Sequence, residues 1–332
     1  MLQITLYTRP GCHLCEQVKE DLSKLQTKYP HQLTEINIET NADFQRKYAL
    51  EIPVLQIGPY TLKAPIELDT LEVALAAASD RKTQIASLQS GGAATVSVQQ
   101  KGWNKADEIV YWIARHYLAV INTIVLIYLS LPFLAPILMK ANLTTPARVI
   151  YNLYGVVCHQ LAYRSFFLFG EQLVYPREAA GLEGLKSYSQ VTGLPEVNSA
   201  EVILQARKFV GNDLLGYKVA LCQRDVAIYF GILLFGVLFS LFRNLKSLPW
   251  FIWILLGLVP IGLDGVSQLL SQPPFGFFPF RESTPYLRVL TGFSFGFMTA
   301  WFGFPSVEES MSETRMVLYQ KKVRYQQLKQ LK

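Results

Sequence analysis

The chain has 332 residues, of which 51% are apolar and 17% charged, and its formal net charge is +6. This composition excludes a disordered protein and a nucleic-acid-binding tail. The Lys and Arg residues lie beside apolar runs rather than in one basic patch, so the charge indicates membrane topology, and no nucleic-acid partner is expected. Four cysteines in a chain of this length exclude a disulfide-rich scaffold. No signal peptide opens the chain, so the N-terminal domain is expected to stay in the cytoplasm.

Residues 1–79 alternate strand and helix patterns. Residues 2–8 alternate as a short strand, and residues 15–29 place Val18 and Leu22 at helical spacing. The later elements are a second strand at 33–38, a helix near 42–48, a third strand at 52–57 and a closing helix at 68–78. This order predicts a small α/β sheet of the βαβ kind.

The rest of the chain is predicted to be a linker followed by an all-α transmembrane bundle. Residues 80–102 are rich in Ser, Gly, Gln and Thr, which is typical of a flexible linker. Four later segments are apolar enough to cross about 30 Å of hydrocarbon: 117–139, 226–242, 250–270 and 286–305. Residues 149–170 are apolar but contain polar side chains, and an interfacial or re-entrant helix is expected there. The glycines of 231–236 and 292–296 are expected to allow close helix packing.

Positive charge decides the predicted number of crossings. With four crossings and the N-terminus inside, the basic loop 243–246 and the basic tail 306–332 both lie in the cytoplasm. A fifth crossing at 149–170 would place both basic segments outside, against the positive-inside rule. The prediction is therefore a multi-pass membrane domain over 103–305 with both termini in the cytoplasm.

The topology leaves two long segments outside the spans. Residues 171–225 form an extracytoplasmic insertion, in which an amphipathic helix is expected near 199–209. Asn198 and Glu201, three residues apart, are candidates to cap this helix. The tail 306–332 is polar and is expected to be a solvated helix.

Cys12 and Cys15 form a Cys-x-x-Cys pair between the first strand and the first helix. Cys12 falls at the helix start, where free backbone N–H groups and the helix dipole favour a thiolate. Cys15, one turn further on, is close enough to resolve a mixed disulfide formed at Cys12. A zinc site or a structural pair is the alternative, but zinc sites usually have four ligands and only His13 lies nearby.

Residues 6–15 (LYTRPGCHLC) and 52–55 (IPVL) resemble the bacterial glutaredoxin-like family of the thioredoxin superfamily. The resemblance covers about residues 1–79 and implies a thioredoxin fold. It also implies a dithiol–disulfide oxidoreductase or a redox-sensing module.

The resemblance further implies a role for individual residues. Cys12 would be the nucleophile, Cys15 the resolving thiol and Pro53 a cis-proline that presents backbone to a bound thiol partner. Dithiol exchange at the head requires no cofactor. Glutathione-binding glutaredoxins carry a Gly-Gly-x-x-Asp stretch where residues 64–69 read APIELD, which argues against glutathione as the reductant.

Charged residues interrupt the apolar half of the chain, and the four-span topology gathers them at the outer end of the bundle. Charge inside a membrane is costly and normally marks an ion pair or a pathway; the alternative is that these residues hold helix ends together. Asp264 is expected to pair with Arg288 or Arg281, and Asp225 with Arg164 or Arg224. The polar cluster comprises Arg164, Arg224, Asp264, Gln268, Arg281 and Arg288.

A second group of residues combines thiols with other metal-ligating side chains: Cys158, His159, Cys222 and Asp225. Two thiols that meet on the outer face of a membrane tend to be oxidised, so a structural disulfide is one interpretation. A redox-active pair, a site for zinc, copper or haem iron, and isolated buried thiols are the others. The sequence leaves all four open.

The membrane half also resembles a known family. About residues 150–297 resemble an uncharacterised bacterial family of multi-span membrane proteins. The resemblance is carried by Cys-His-Gln at 158–160, Arg-Ser-Phe at 164–166, Cys-x-Arg at 222–224, Asp-Gly-x-x-Gln at 264–268 and Ser-Thr-x-x-Leu-Arg at 283–288. It supports the architecture and implies no activity.

Two functional hypotheses follow. The first is a membrane-anchored thiol–disulfide oxidoreductase that acts on protein or small-molecule disulfides, with lipid around its spans. Extending this chemistry to Cys158 and Cys222 across about 30 Å would need a moving carrier such as a quinone. The second is a transporter or sensor for a small solute or metal, gated by a thiol switch in the head. A polar cluster that closes as salt bridges favours the anchor, and one that lines an open cavity favours transport.

Overall fold

The computed structural model describes residues 1–90, 102–197, 199–272, 275–277 and 279–330. The chain divides into two compact units. The first comprises Met1–Arg115 and Glu309–Lys332, and the second comprises His116–Glu308. This division differs from the predicted one, because the end of the chain belongs with the N-terminal unit.

The first unit contains the predicted α/β sheet, together with a fourth strand, residues 60–63, that was not predicted. Its strands are β1 (Leu2–Thr8), β2 (His31–Asn37), β3 (Val54–Ile57) and β4 (Tyr60–Lys63), in the order β2-β1-β3-β4. β1 and β2 are parallel, whereas β3 is antiparallel to both β1 and β4. A parallel pair needs a crossover connection, which helix α1 (His13–Leu25) supplies. The remaining helices of the head are α2 (Ala42–Tyr48) and α3 (Leu68–Ser90).

Helix α3 is longer than the closing helix predicted from the sequence. It continues to Ser90, so residues 80–90 of the predicted linker are helical. Residues 91–101 of that linker lie outside the described residues.

The two faces of the head sheet have different coverings. Ile4 and Leu6 of β1 point to the face that α1 and α3 cover. Tyr7 points to the other face, where it packs in a cluster with Phe44 of α2 and with Met316. Helix α2 has only seven residues, and the chain after residue 309 covers further area on this face. The tail, predicted to be a solvated helix, is therefore partly buried in the core of the head.

The second unit is mainly helical. Within the described residues, three helices are long and apolar enough to cross a membrane: α4 (Lys105–Lys140), α8 (Gln223–Leu241) and α9 (Trp250–Leu270). The fourth predicted span, 286–305, lies within the 46-residue helix α10 (Pro285–Gln330), which does not reach the same hydropathy. The predicted helical membrane domain is thus confirmed, and the number of spans stays a prediction.

The segment 149–170 is not one continuous helix, and its place at the membrane face stays a prediction. Helix α5 (Thr144–Tyr154) has eleven residues, which span roughly 16 Å and cannot cross a bilayer. The chain then enters β5 (Ser165–Leu168), which belongs to a three-stranded antiparallel sheet with β6 (Gly211–Asn212) and β7 (Gly216–Cys222), in the order β5-β7-β6. This sheet adds a feature that the all-α prediction for the membrane domain did not contain.

The described residues of the insertion include the α-helices α6 (Tyr188–Thr192) and α7 (Ala200–Lys208). Helix α7 is the amphipathic helix predicted near 199–209. Its N-cap is Ser199, whose side chain accepts a hydrogen bond from the Val202 N–H. The predicted capping residue Asn198 lies outside the described residues.

Glycines bring α8 and α10 into close contact. A Cβ atom at Gly296 would lie 2.0 Å from the carbonyl oxygen of Ile228, and one at Gly231 would lie 2.6 Å from that of Phe293. Neither position has room for a side chain, so the backbones approach as closely as the small residues allow. The predicted role of the glycine runs in helix packing is confirmed at these positions.

Candidate functional site

Cys12 and Cys15 lie at the start of α1 and form a disulfide with an S–S distance of 1.98 Å. Cys12 is the N-cap residue of the helix, and its Sγ accepts a hydrogen bond from the Cys15 N–H at 3.2 Å. The Cys12 side chain is partly exposed, whereas the Cys15 side chain is fully buried. The pair therefore has one accessible sulfur and one protected sulfur.

This arrangement can carry out dithiol chemistry. After reduction, the Cys12 sulfur lies at the positive end of the α1 dipole beside backbone N–H groups, which favour its thiolate form. Because Cys12 is the accessible member, it is the sulfur that a substrate disulfide can reach. Cys15 lies one helical turn away and can attack only a sulfur bound to Cys12.

Pro53 lies at the same end of the sheet as the dithiol. The Ile52–Pro53 peptide bond is cis, and the next residue, Val54, pairs with Tyr7 at the end of β1. Cys12 lies five residues after Tyr7, in the loop that follows the C-terminal end of β1. The reaction role of Pro53 stays a prediction. A second cis bond, Ala64–Pro65, occurs in the segment that departs from the glutathione-binding pattern.

In the second unit the polar cluster is organised around two buried carboxylates. Asp264 accepts hydrogen bonds from Arg281 Nη2 at 2.9 Å and from Ser283 Oγ at 2.7 Å, and it also pairs with Arg224. Its side chain is only 2% exposed. The first centre of the cluster is therefore one carboxylate shared by two arginines.

The second centre is Glu282, whose side chain is 1% exposed. Arg164 donates to both of its oxygens, from Nε at 2.8 Å and from Nη2 at 3.1 Å, and Arg288 forms a further ion pair. Burial alone would raise the pKa of Glu282, but the positive charge of Arg164 holds that pKa below its usual range. Glu282 therefore stays ionised in spite of its burial.

The observed pairing agrees only in part with the predicted pairing. The Asp264–Arg281 pair is confirmed. Arg288, the other candidate for Asp264, pairs with Glu282 instead, and Arg164 and Arg224 pair with Glu282 and Asp264 rather than with Asp225. Gln268 is buried, and its Nε2 has no hydrogen-bond partner among the described residues.

Glu282 is the member of the polar cluster that was not predicted from the sequence. It stands between Arg281 and Ser283 in the sequence, so its charge was visible. Its main partner, Arg164, is 118 residues away, and no local pattern connects the two.

The second group of candidate residues is brought together except for His159. The two sulfurs and one carboxylate oxygen of Cys158, Cys222 and Asp225 all lie within 4.8 Å of one another. Both cysteines are free and buried, so the structural disulfide considered for them is not formed in this structure. His159 Nδ1 instead accepts a hydrogen bond from the Leu161 N–H at 3.1 Å.

Comparisons with known proteins agree with this two-part architecture. The family described as "Glutaredoxin-like domain (DUF836)" matches residues 3–77, and the family described as "Predicted membrane protein (DUF2085)" matches residues 207–302. An uncharacterized protein of Methanocaldococcus jannaschii is 25% identical over 198 residues, which cover 58% of this chain and 92% of the relative. No solved structure matches the chain. The head is thus similar to glutaredoxin-like domains, and the C-terminal part is similar to a family of membrane proteins.

Proposed function

We propose that the protein is a membrane-anchored thiol–disulfide oxidoreductase that acts through Cys12 and Cys15. The observation that carries this proposal is the asymmetry of the pair: a partly exposed sulfur at the N-terminus of α1 beside a fully buried one. The similarity of residues 3–77 to glutaredoxin-like domains supports the same chemistry.

The reaction follows from the positions of the two sulfurs. The Cys12 thiolate attacks one sulfur of a substrate disulfide, forms a mixed disulfide and releases the other substrate sulfur as a thiolate. The Cys15 thiolate then attacks the Cys12 sulfur and releases the second substrate thiol. Two electrons pass from the head to the substrate, and the Cys12–Cys15 disulfide remains for an external dithiol to reduce. The substrates are protein or small-molecule disulfides, and glutathione is not the expected reductant.

The membrane part acts as an anchor in this proposal. The arginines of the polar cluster are engaged in ion pairs with Asp264 and Glu282, as expected of a structure that joins helix ends. Asp264 and Arg281 also line a cavity of 560 Å³, but they are paired with each other there. This pairing favours an anchor over a transport pathway. The distribution of Lys and Arg supports a multi-pass orientation with both termini in the cytoplasm.

Trapping the mixed disulfide tests the proposal. The full-length protein in detergent is reduced, freed of reductant and mixed with an aromatic disulfide that releases a coloured thiol. We expect Cys15→Ser to release one coloured thiol and to keep the other aromatic group bound at Cys12, because no resolving thiol remains. Wild-type protein should turn over with a dithiol reductant, and the matched variant Cys12→Ser should not.

Two results would contradict the proposal. One is turnover by Cys12→Ser at the wild-type rate. The other is an aromatic adduct of Cys15→Ser found by peptide mass spectrometry at Cys158 or Cys222 instead of Cys12.

A further inference from the structure

The second unit contains a compact set of three metal-ligating atoms that the redox chemistry of the head does not use. They are Sγ of Cys158, Sγ of Cys222 and a carboxylate oxygen of Asp225, and all lie within 4.8 Å of one another. In a tetrahedral zinc site with Zn–S bonds of about 2.3 Å, two sulfurs stand roughly 3.7 Å apart. The three atoms are therefore close to the spacing that a bound ion requires.

Separate elements hold the three residues in place. Cys158 follows α5, and its N–H donates to the Tyr154 carbonyl oxygen at 2.9 Å. Cys222 is the last residue of β7 and lies opposite Ser165 in the sheet. Asp225 is in the first turn of α8, three residues after Cys222, so the two share one face of the chain.

The residues between Cys222 and Asp225 are engaged elsewhere. Gln223 Nε2 donates to the Ser165 carbonyl oxygen at 3.0 Å, and Arg224 pairs with Asp264. Their side chains therefore do not compete with the three candidate ligands. The site is built from fixed positions on a helix end, a strand end and a first helical turn.

The environment of the Asp225 carboxylate also indicates a bound cation. Within the described part of the chain, no hydrogen bond or ion pair engages its carboxylate, although it is only partly exposed. The arginines around it are committed to Asp264 and Glu282. A half-buried carboxylate beside two buried thiols is costly unless a proton or a cation compensates it.

The chemistry of the donor set selects the class of ion. Magnesium and calcium take oxygen ligands, and copper(I) prefers soft sulfur ligands alone, whereas zinc accepts both thiolate and carboxylate. Three protein ligands leave a fourth tetrahedral position for water or a small ligand. We propose that Cys158, Cys222 and Asp225 bind one thiophilic divalent cation of the zinc class. This site does not depend on the redox activity proposed for the head.

Cobalt(II) provides a direct test, because a cobalt–thiolate bond gives a charge-transfer band in the near ultraviolet. The chain has four cysteines, so a Cys12→Ser and Cys15→Ser background leaves Cys158 and Cys222 as the only thiols. The full-length protein, reduced with a phosphine, should bind one equivalent of cobalt and show this band. Zinc should displace the cobalt and remove the band.

Further variants in the same background identify the ligands. Adding Cys222→Ser should weaken cobalt binding and lower the band intensity to that of at most one thiolate, and adding Asp225→Asn should weaken cobalt binding by roughly tenfold or more. Asp213→Asn is the matched control, because the Asp213 side chain is 84% exposed, and it should leave binding unchanged. Size-exclusion profiles of all variants in detergent establish that the compared proteins are folded.

The proposal is overturned if the reduced background protein binds no cobalt while its size-exclusion profile is normal. It is also overturned if the band keeps its full intensity in the Cys222→Ser variant, or if Asp225→Asn and Asp213→Asn bind cobalt equally well. Because the head thiols are absent from this background, none of these results bears on the exchange activity of Cys12 and Cys15.

Discussion

A buried ion pair joins the last helix of the chain to the glutaredoxin-like head within the first unit. Arg315 donates from Nε to Asp43 Oδ2 and from Nη2 to Asp43 Oδ1, both at 2.7 Å, and from Nη1 to the Ala114 carbonyl oxygen at 2.7 Å. Both charged side chains are only 7% exposed. We predict that Arg315→Met destabilises the head even though residue 315 is far from it in sequence.

The expected magnitude follows from what remains after the change. Removing one partner of a buried ion pair costs about 3–5 kcal/mol, because the other charge stays buried and uncompensated. Asp43 keeps a second ion pair with Arg46 and a hydrogen bond from Ser312 Oγ at 3.1 Å. Arg46 is 39% exposed and therefore compensates weakly. The expected loss in the free energy of unfolding is about 2–4 kcal/mol.

Alkylation of Cys15 reports this loss in the full-length protein. Once the disulfide is reduced, Cys15 reacts only when the head opens, because its side chain is fully buried. A loss of this size should raise the rate of Cys15 labelling roughly 30-fold to 1,000-fold, at tenfold per 1.4 kcal/mol. Peptide mass spectrometry distinguishes Cys15 from the other cysteines. Lys329→Met, which removes an exposed cation from the same helix, should label at the wild-type rate.

Two further measurements test the structural role of Arg315. Arg315→Met labelled at the wild-type rate would refute a structural role of the tail helix in the head.

The second test is the pH dependence of stability. Burial alone would raise the pKa of Asp43, but hydrogen bonds and charge from Arg315 hold that pKa below its usual range. The ion pair therefore stabilises the folded protein fully above about pH 4, the pKa of Asp in the unfolded chain. This stabilisation is lost as the pH falls through the lower pKa that Asp43 has in the folded protein. The difference in thermal midpoint between wild type and Arg315→Met should shrink accordingly in acid.

Two other predictions concern the second unit and use thermal unfolding of the full-length protein in detergent. Gly296→Ala should lower stability by about 1–3 kcal/mol, because its Cβ would lie 2.0 Å from the Ile228 carbonyl oxygen. Gly303→Ala on the same helix meets no atom within 4 Å and should be tolerated; equal midpoints would disprove the close helix contact. Burial lowers the pKa of Lys218 to about 7, whereas the unfolded chain keeps that proton to about pH 10.4. The midpoint of wild type relative to Lys218→Met should therefore rise between pH 7 and pH 10, and a flat difference would contradict this.

Local patterns in the sequence predicted the head and its dithiol. Apart from β4, which was not predicted, the order of strands and helices in residues 1–79 follows from alternating and helical spacing over a few residues, and those intervals are fixed by the covalent chain. The same holds for the Cys-x-x-Cys pair, since one helical turn separates Cys12 from Cys15 wherever α1 packs. The apolar length of α4, α8 and α9 is likewise a property of the sequence.

The sheet of the second unit was missed for a local reason. Strand β7 is buried along nearly its whole length, so it lacks the polar alternation that distinguishes a half-buried strand. Lys218 lies in the middle of this strand, and its ammonium group is accommodated by the carbonyl oxygens of Gln160 and Arg207. The sequence around Lys218 does not predict that its side chain is buried against these two carbonyl oxygens.

Pairing between distant residues was decided by the tertiary structure alone. Glu282 and Asp264 are both possible partners for the arginines of the polar cluster. The sequence alone does not show which arginine pairs with which carboxylate, because Arg164 and Glu282 lie more than a hundred residues apart. Met316 and Arg315 look like parts of a solvated tail, but the short helix α2 leaves one face of the head sheet open to them. Cys158 meets Cys222 and Asp225 where the end of α5 packs against β7. Spacing along the chain specifies which residues share a helix face. The contacts named here join residues that are far apart in the sequence, so they depend on how the helices and strands pack together.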